Sequence, residues 1–139
     1  MRAYFAESFI SGSGAAAVPV AAGSRLAGTP NRSAFAELAW APKAAWGGFN
    51  SAVEVVHTGR LYVNDVNEDS APAVTLVNLR AGLAQQAGRW RFSQLLRVDN
   101  LGDRTYAGSV IVNEANKRFF EPAMPRNWLL AVTARFEWE

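Results

Sequence analysis

The residues able to do chemistry are few, and their spacing does not bring them together. His57 is the single histidine and the chain has no cysteine, so the several converging imidazole or thiolate donors that a metal site needs are missing. The same lack removes disulfides and a cysteine nucleophile. Serines occur without a G-x-S-x-G turn, and Glu114 with Lys117 and Arg118 is too sparse a grouping for acid–base work. Gly12 and Gly14 precede the small-residue run Ala15-Ala16-Ala17 rather than a helix start, which argues against a phosphate cradle. No catalytic, cofactor-binding or metal-binding residue is assigned, no cofactor is expected, and the chain reads as a non-enzyme.

The remaining charge is patterned instead. Glu37, Glu54, Arg80, Arg91, Arg97, Arg135 and Glu137 each sit among apolar neighbours, at positions that alternation would gather on one face of a sheet. Ion pairing across neighbouring strands is their expected use, and lining a solute path is the alternative. Tyr106, Asn113, Asn116, Lys117, Arg118, Phe119 and Phe120 form a second mixed group, suited to an anionic chelate or a partner protein. Packing of the loop that carries them is the simpler expectation. His57 shares its parity with Val53 and Val55, so it faces the apolar side unless a bulge near Gly59 resets the register.

The elements that position these residues are strands. From Asn127 to Glu139 an apolar side chain stands at every even position, namely Trp128, Leu130, Val132, Ala134, Phe136 and Trp138. A helical period would put Arg135 and Glu139 on that apolar stripe, so the period is two. Trp90, Phe92, Leu96 and Val98 repeat the pattern against Arg91, Ser93, Arg97 and Asp99, and Thr75, Val77, Leu79, Ala81 and Leu83 mark a third strand. Ala34 to Trp40, Val53 towards Tyr62, and Arg2 to Ile10 complete about six strands. Their connections alternate in length: Ser11–Arg32 long, Ala41–Gly47 short, Asn64–Pro72 intermediate, Gln85–Arg89 short, Asn100–Arg126 long. Antiparallel order places the long ones together at one end and the tight turns at the other.

Half of the 139 residues are hydrophobic and 19% are charged, with 14 basic against 12 acidic side chains. So balanced a charge gives no reason to expect a nucleic-acid partner. No apolar run reaches the ~18 to 20 residues of a spanning helix. Acidic Glu7 interrupts the apolar start, so no secretory signal is expected. Two environments fit the alternation, a soluble β-sandwich and a lipid-facing barrel wall. The last strand runs about twice the ~5 to 6 residues usual in sandwiches. Its apolar face also carries aromatics at both ends, as lipid interfaces favour. A barrel-spanning strand is therefore preferred.

Arg97-Val98-Asp99-Asn100-Leu101-Gly102-Asp103-Arg104-Thr105-Tyr106 resembles the V-x-N-L-x-D-x-x-Y segment near the end of TonB-dependent outer-membrane receptors. Arg118-Phe119-Phe120-Glu121-Pro122-Ala123 and Pro125-Arg126-Asn127-Trp128 are similar to the stretch leading into that family's last strand. Thr29-Pro30-Asn31-Arg32 and Leu61-Tyr62-Val63-Asn64-Asp65-Val66-Asn67 are looser matches to its loop ends. The resemblance implies an all-β, antiparallel up-and-down transmembrane barrel of about 22 strands, closed around an N-terminal plug. It implies energised uptake of a small nutrient chelate such as a ferric siderophore or cobalamin, with TonB, the barrel-assembly machinery and outer-membrane lipid as partners. The location implied is the Gram-negative outer membrane, with long loops extracellular and the C-terminus periplasmic.

Such receptors are several times longer, and no plug is recognisable here. About six strands also fall short of the ~8 that close the smallest membrane barrels. The expectation is thus a C-terminal barrel fragment, open if isolated and inactive alone, from a truncated frame or an excised piece. A small oligomeric surface barrel or adhesin, and a soluble β binding module, are the alternatives.

Overall fold

The computed structural model describes residues 3–14, 17–43 and 47–138. The chain divides into two compact units, Phe35–Val56 with Thr75–Arg104 and Pro125–Glu139, and Met1–Ala34 with His57–Val74 and Thr105–Met124. The named elements are all strands: β1 (Phe9–Ser11), β2 (Val18–Val20), β3 (Ser33–Trp40), β4 (Asn50–Thr58), β5 (Leu61–Tyr62), β6 (Ser70–Ala71), β7 (Val74–Ala87), β8 (Trp90–Asp99), β9 (Ala107–Val110), β10 (Phe120–Pro122) and β11 (Asn127–Phe136). No helix among the described residues is long and apolar enough to cross a membrane, which leaves crossing by strands untouched.

The first unit holds a sheet of order β11-β8-β7-β4-β3. β8 pairs antiparallel with β11 from Asn127↔Asp99 to Phe136↔Trp90, and with β7 from Leu79↔Val98 to Ala87↔Trp90. Across three strands this register lines up Leu79-Val98-Trp128, Ala81-Leu96-Leu130 and Leu83-Gln94-Val132 on one face. A slip of one residue would turn every one of these side chains to the other face, so the alternation itself fixes the pairing. Gln94 is the polar exception in the apolar rows, and its Oε1 is buried with no hydrogen-bond partner among the described residues.

β7 and β8 meet in a two-residue turn, Gly88-Arg89, with Gly88 at φ 60. Glycine first is what the right-handed twist of a hairpin favours. At the β3–β4 connection Gly48 has φ 74, its carbonyl accepts the Ala84 N–H at 3.1 Å, and a Cβ there would run into the Ala84 backbone. Gly88 adopts the same hand, but a Cβ there would meet open space. Gly48→Ala is therefore expected to cost about 2 kcal/mol and Gly88→Ala about 1 kcal/mol, read as shifts of the urea midpoint.

The apolar face of this sheet is exposed, and the opposite face is covered around Ala52 and Glu54 but exposed near the Gly88 turn, at Arg91, Ser93, Thr133 and Arg135. Trp128, Leu130 and Val132 keep 65%, 70% and 66% of their surface exposed, while Ala52 and Glu54 on the opposite face keep 2% and 9%. Val98 alone among the aligned apolar residues is buried. At the tight-turn end the aromatics gather. Trp90 meets Phe136 at 5.1 Å and Phe92 at 6.0 Å, and Phe136 meets Trp138 at 4.8 Å, with Trp40 against Phe49 at 5.8 Å. The sheet is open: β11 and β3 are its edges, and all of β3 is exposed.

The second unit is built from segments read as long and intermediate connections, together with residues before Ser11 and around Tyr62 that were read as strand. It holds the antiparallel pairs β1–β2, β5–β6 and β9–β10, around Val20 and Val63, which are fully buried, and Phe119. The three segments bind one another through the backbone: Gly28 N–H donates to Tyr62 O at 2.8 Å, and Asn113 N–H to Val63 O at 2.9 Å. The gathering of these connections follows the expected alternation.

Two expectations need correction. Arg2 to Ile10 is not a sixth strand of the long sheet. Tyr4 forms an isolated bridge with Arg25, Phe5 N–H donates to Ser24 O at 3.0 Å, and only Phe9–Ser11 is a strand, paired with β2; Arg2 lies outside the described residues. Nor does β4 run on to Tyr62. It ends at Thr58, and beyond it Gly59 N–H donates to Arg32 O at 2.8 Å and lies so close to residues 31 and 32 that a Cβ would collide with Asn31 and Arg32. His57 is half-buried near that end.

Candidate functional site

The polar face of the long sheet holds the charges that alternation assigned to it. Glu54 stands on β4 between Val53 and Val55, and its carboxylate takes both ends of the Arg97 guanidinium, Nη1 to Oε1 at 3.0 Å and Nη2 to Oε2 at 2.8 Å. Such a fork is the strongest geometry an arginine and a carboxylate can adopt. Arg97 gives its Nε to Asp99 Oδ1 at 2.9 Å, so all its nitrogens are engaged. Arg80 Nη2 donates to Glu37 Oε2 at 3.0 Å. Its Nε lies 3.5 Å from Glu54 Oε1 without the alignment of a hydrogen bond, so Glu37 holds this side chain. Four strands thus contribute to one connected group.

Of the charges picked out in the sequence, Glu37, Glu54, Arg80 and Arg97 come together here. Arg91 and Glu137 form a separate pair at 2.7 Å, and Arg135 joins neither. Asp99 and Asn78, polar positions of β8 and β7 in the sequence, were not among the charges picked out and belong to the group as well. Asn78 accepts the Asn100 N–H at 3.0 Å and reaches Glu54 Oε2 at 3.5 Å. The parity of Asp99 with Arg97 was the available sign. Every carboxylate of the main group is in an ion pair.

The residues that carry the family resemblance have structural tasks. Asn100, at φ 52 and buried, accepts the Arg104 N–H and donates to Arg104 O, both at 2.8 Å. Asp103, at φ 50, accepts the Arg126 N–H at 3.0 Å. The N-L-x-D turn therefore ties the end of β8 to the start of β11. Asn67, at φ 61, makes a two-way bond with the Arg25 backbone, accepting at 2.7 Å and donating at 2.9 Å. Asparagine tolerates the left-handed region and carries a donor beside an acceptor.

In the other unit Asn113 donates to Asp65 Oδ2 at 2.7 Å and accepts the Asp65 N–H at 3.0 Å. With Val20, Glu68, Lys117 and Phe119 these residues line a cavity of about 440 Å³. Phe119 is buried and stacks edge-on with exposed Phe120, so part of this second sequence group is framework. Glu114 accepts the Arg118 N–H at 2.9 Å and the Asn116 amide at 3.1 Å. The Arg118 N–H above all holds its carboxyl below the usual carboxylate range. A lowered folded value stabilises the turn above the unfolded pKa of about 4.3 and loses that effect as pH falls through the folded value. Exchange of the Arg118 amide is expected to quicken in that acid window, and Glu114→Gln to abolish the pH step.

An all-β chain with a long-stranded sheet, apolar on one exposed face and ion-paired on its polar face, is the class that fold and site define. The structure is similar to that of BauA, the ferric preacinetobactin receptor from Acinetobacter baumannii, with a TM-score of 0.69 over 91% of this chain and 17% sequence identity. At that identity the likeness is one of fold. The chain covers 21% of the length of that receptor chain. No protein-family profile matches the sequence.

Proposed function

We propose that this chain is a C-terminal barrel segment of a TonB-dependent outer-membrane receptor. The observation that carries the reading is the exposed apolar face of the long sheet, with Trp128, Leu130 and Val132 outward and the ion pairs around covered Glu54 on the other face. In water that arrangement wastes the apolar face, whereas a wall between lipid and a wet interior requires it. The aromatics around Trp90 and Phe136 then lie at a lipid interface. The free edges of β3 and β11 are paired by further barrel strands, since lipid does not tolerate open edges. The fold likeness to a ferric siderophore receptor supports uptake of a ferric siderophore, cobalamin or similar chelate as the role of the whole receptor, driven through TonB. The loop unit faces the cell exterior and the end of β11 the periplasm.

Because the chain has no cysteine, single-cysteine probes report one site each. The chain is reconstituted in vesicles of brominated phospholipid with a fluorophore at position 130, 131, 132 or 133. Strong quenching at 130 and 132 with little at 131 and 133 is the expected result. Equal quenching at all four, or a folded monomer in buffer without detergent, would overturn the reading. A stable oligomer by native mass measurement in detergent would favour a small surface barrel made by pairing of the two free edges.

A further inference from the structure

The charged face has a second region, near the tight turns, where the balance of charge reverses. In the main group Arg80 and Arg97 face Glu37, Glu54 and Asp99, two positive charges against three negative. Near the Gly88 turn, Arg91 and Arg135 stand directly opposite each other across β8 and β11. Their one ion-paired carboxylate is Glu137, which takes Arg91 Nε at 2.7 Å. Arg135 has no partner among the described residues. Like charges directly opposite on a sheet destabilise it, so the pair is an electrostatic cost that an anion would relieve.

The surroundings suit one. The register places Gln86 beside Arg91 and Arg135 in one row, and Ala84, Ser93 and Thr133 in the row next to it. Together these side chains line an open concavity of about 490 Å³. Its floor offers two guanidinium groups, two hydroxyls and a carboxamide, and Ala84 leaves room between them. Arg91 meets Glu137 through Nε. Guanidinium groups match the planar or tetrahedral oxygens of carboxylate and phosphate by paired hydrogen bonds.

We propose that the Arg91–Arg135 concavity is an oxyanion-binding site, taking one carboxylate or phosphate group between the two guanidinium groups with Ser93 and Thr133 as further donors. The site does not depend on which medium wets the opposite face, so its test is independent of the receptor reading. The full chain, in whichever of buffer or detergent micelles gives a dispersed amide spectrum, is titrated with inorganic phosphate, sodium acetate and sodium chloride at constant ionic strength. The arginine Nε–Hε resonances are followed. Saturable shifts of Arg91 and Arg135 with phosphate or acetate, and none at Arg104, are the expected result; the tighter of the two anions tells phosphate from carboxylate as the natural group. Arg135→Gln should weaken binding about 10-fold, and Arg135→Lys, which keeps the charge but not the fork, by a smaller factor. Thr133→Val, away from the charges, gives a second and milder loss should the arginine variants fail to fold. A linear response shared with chloride, or an unchanged affinity in Thr133→Val and Arg135→Gln alike, would overturn the assignment.

Discussion

Replacing Glu54 by glutamine is expected to destabilise the long sheet by about 2 to 3 kcal/mol, a large effect for a substitution of nearly equal shape. The side chain of Glu54 is 11% exposed, against 30% for Arg97 and 37% for Arg80, so the carboxylate is the covered centre of the group and the arginines lie towards its rim. Removing it leaves Arg97 with Asp99 and Arg80 with Glu37, and two guanidinium groups crowd a neutral amide. Breaking a fully buried pair costs about 3 to 5 kcal/mol, and the partial exposure of the arginines lowers that figure. Arg97→Gln should cost a similar amount. The double substitution should cost clearly less than the sum, because each single change removes the same fork. Urea unfolding of the four proteins in micelles measures the cycle. Additive costs would mean that the fork contributes nothing beyond burial.

The face on which this group sits was legible because alternation survives register. In β8 and β11 every charged residue keeps one parity and the apolar residues keep the other apart from Leu95, Leu129 and Ala131, and pairing cannot change a parity. The loop unit was harder to read. β1, β2 and β10 are three residues long, and β5 and β6 two, too short for any period to rise above chance. Tyr4 and Phe5 carry the apolar composition of a strand, yet they pair with residues 24 and 25 only through tertiary folding. Beyond Thr58, Gly59 closely approaches a segment more than twenty positions earlier. No local pattern announces such a contact. Gln94 illustrates the opposite case, where the sequence showed an interruption in the apolar rows and the structure leaves its Oε1 unpartnered.

The charged group itself was half legible. Glu37, Glu54, Arg80 and Arg97 each fall at the parity opposite the apolar residues of their own strand, which the alternation reveals, but their partners depend on which strands are neighbours. Asp99 was seen as a polar position and not as part of the group, because an aspartate two residues after an arginine on a strand has no special standing until the side chains are placed. The solitary state of Arg135 was beyond reach for the same reason: pairing is a property of the sheet and not of the strand.

The second large effect separates the two media that the alternation allowed. Leu130 lies on β11 between Trp128 and Phe136, 70% exposed and opposite Leu96. If lipid wets that face, Leu130→Arg should cost about 2 to 3 kcal/mol in vesicles, approaching the penalty for an arginine near the bilayer midplane. If water wets it, the same change places a charge where an exposed leucine was and should lie within about 0.5 kcal/mol of neutral. Thr133→Gln, on the same strand but the other face, should stay within that smaller range in either medium. Moving the arginine along the strand sharpens the comparison. At Trp128 and at Phe136 the penalty from charge falls towards about 0 to 1 kcal/mol, since the side chain there reaches the headgroups. A cost that peaks at Leu130 and falls at both ends has no counterpart in a soluble sheet, where exposure alone sets the effect. The exposed apolar face then ceases to be a liability and becomes the reason the polar face can carry its charges.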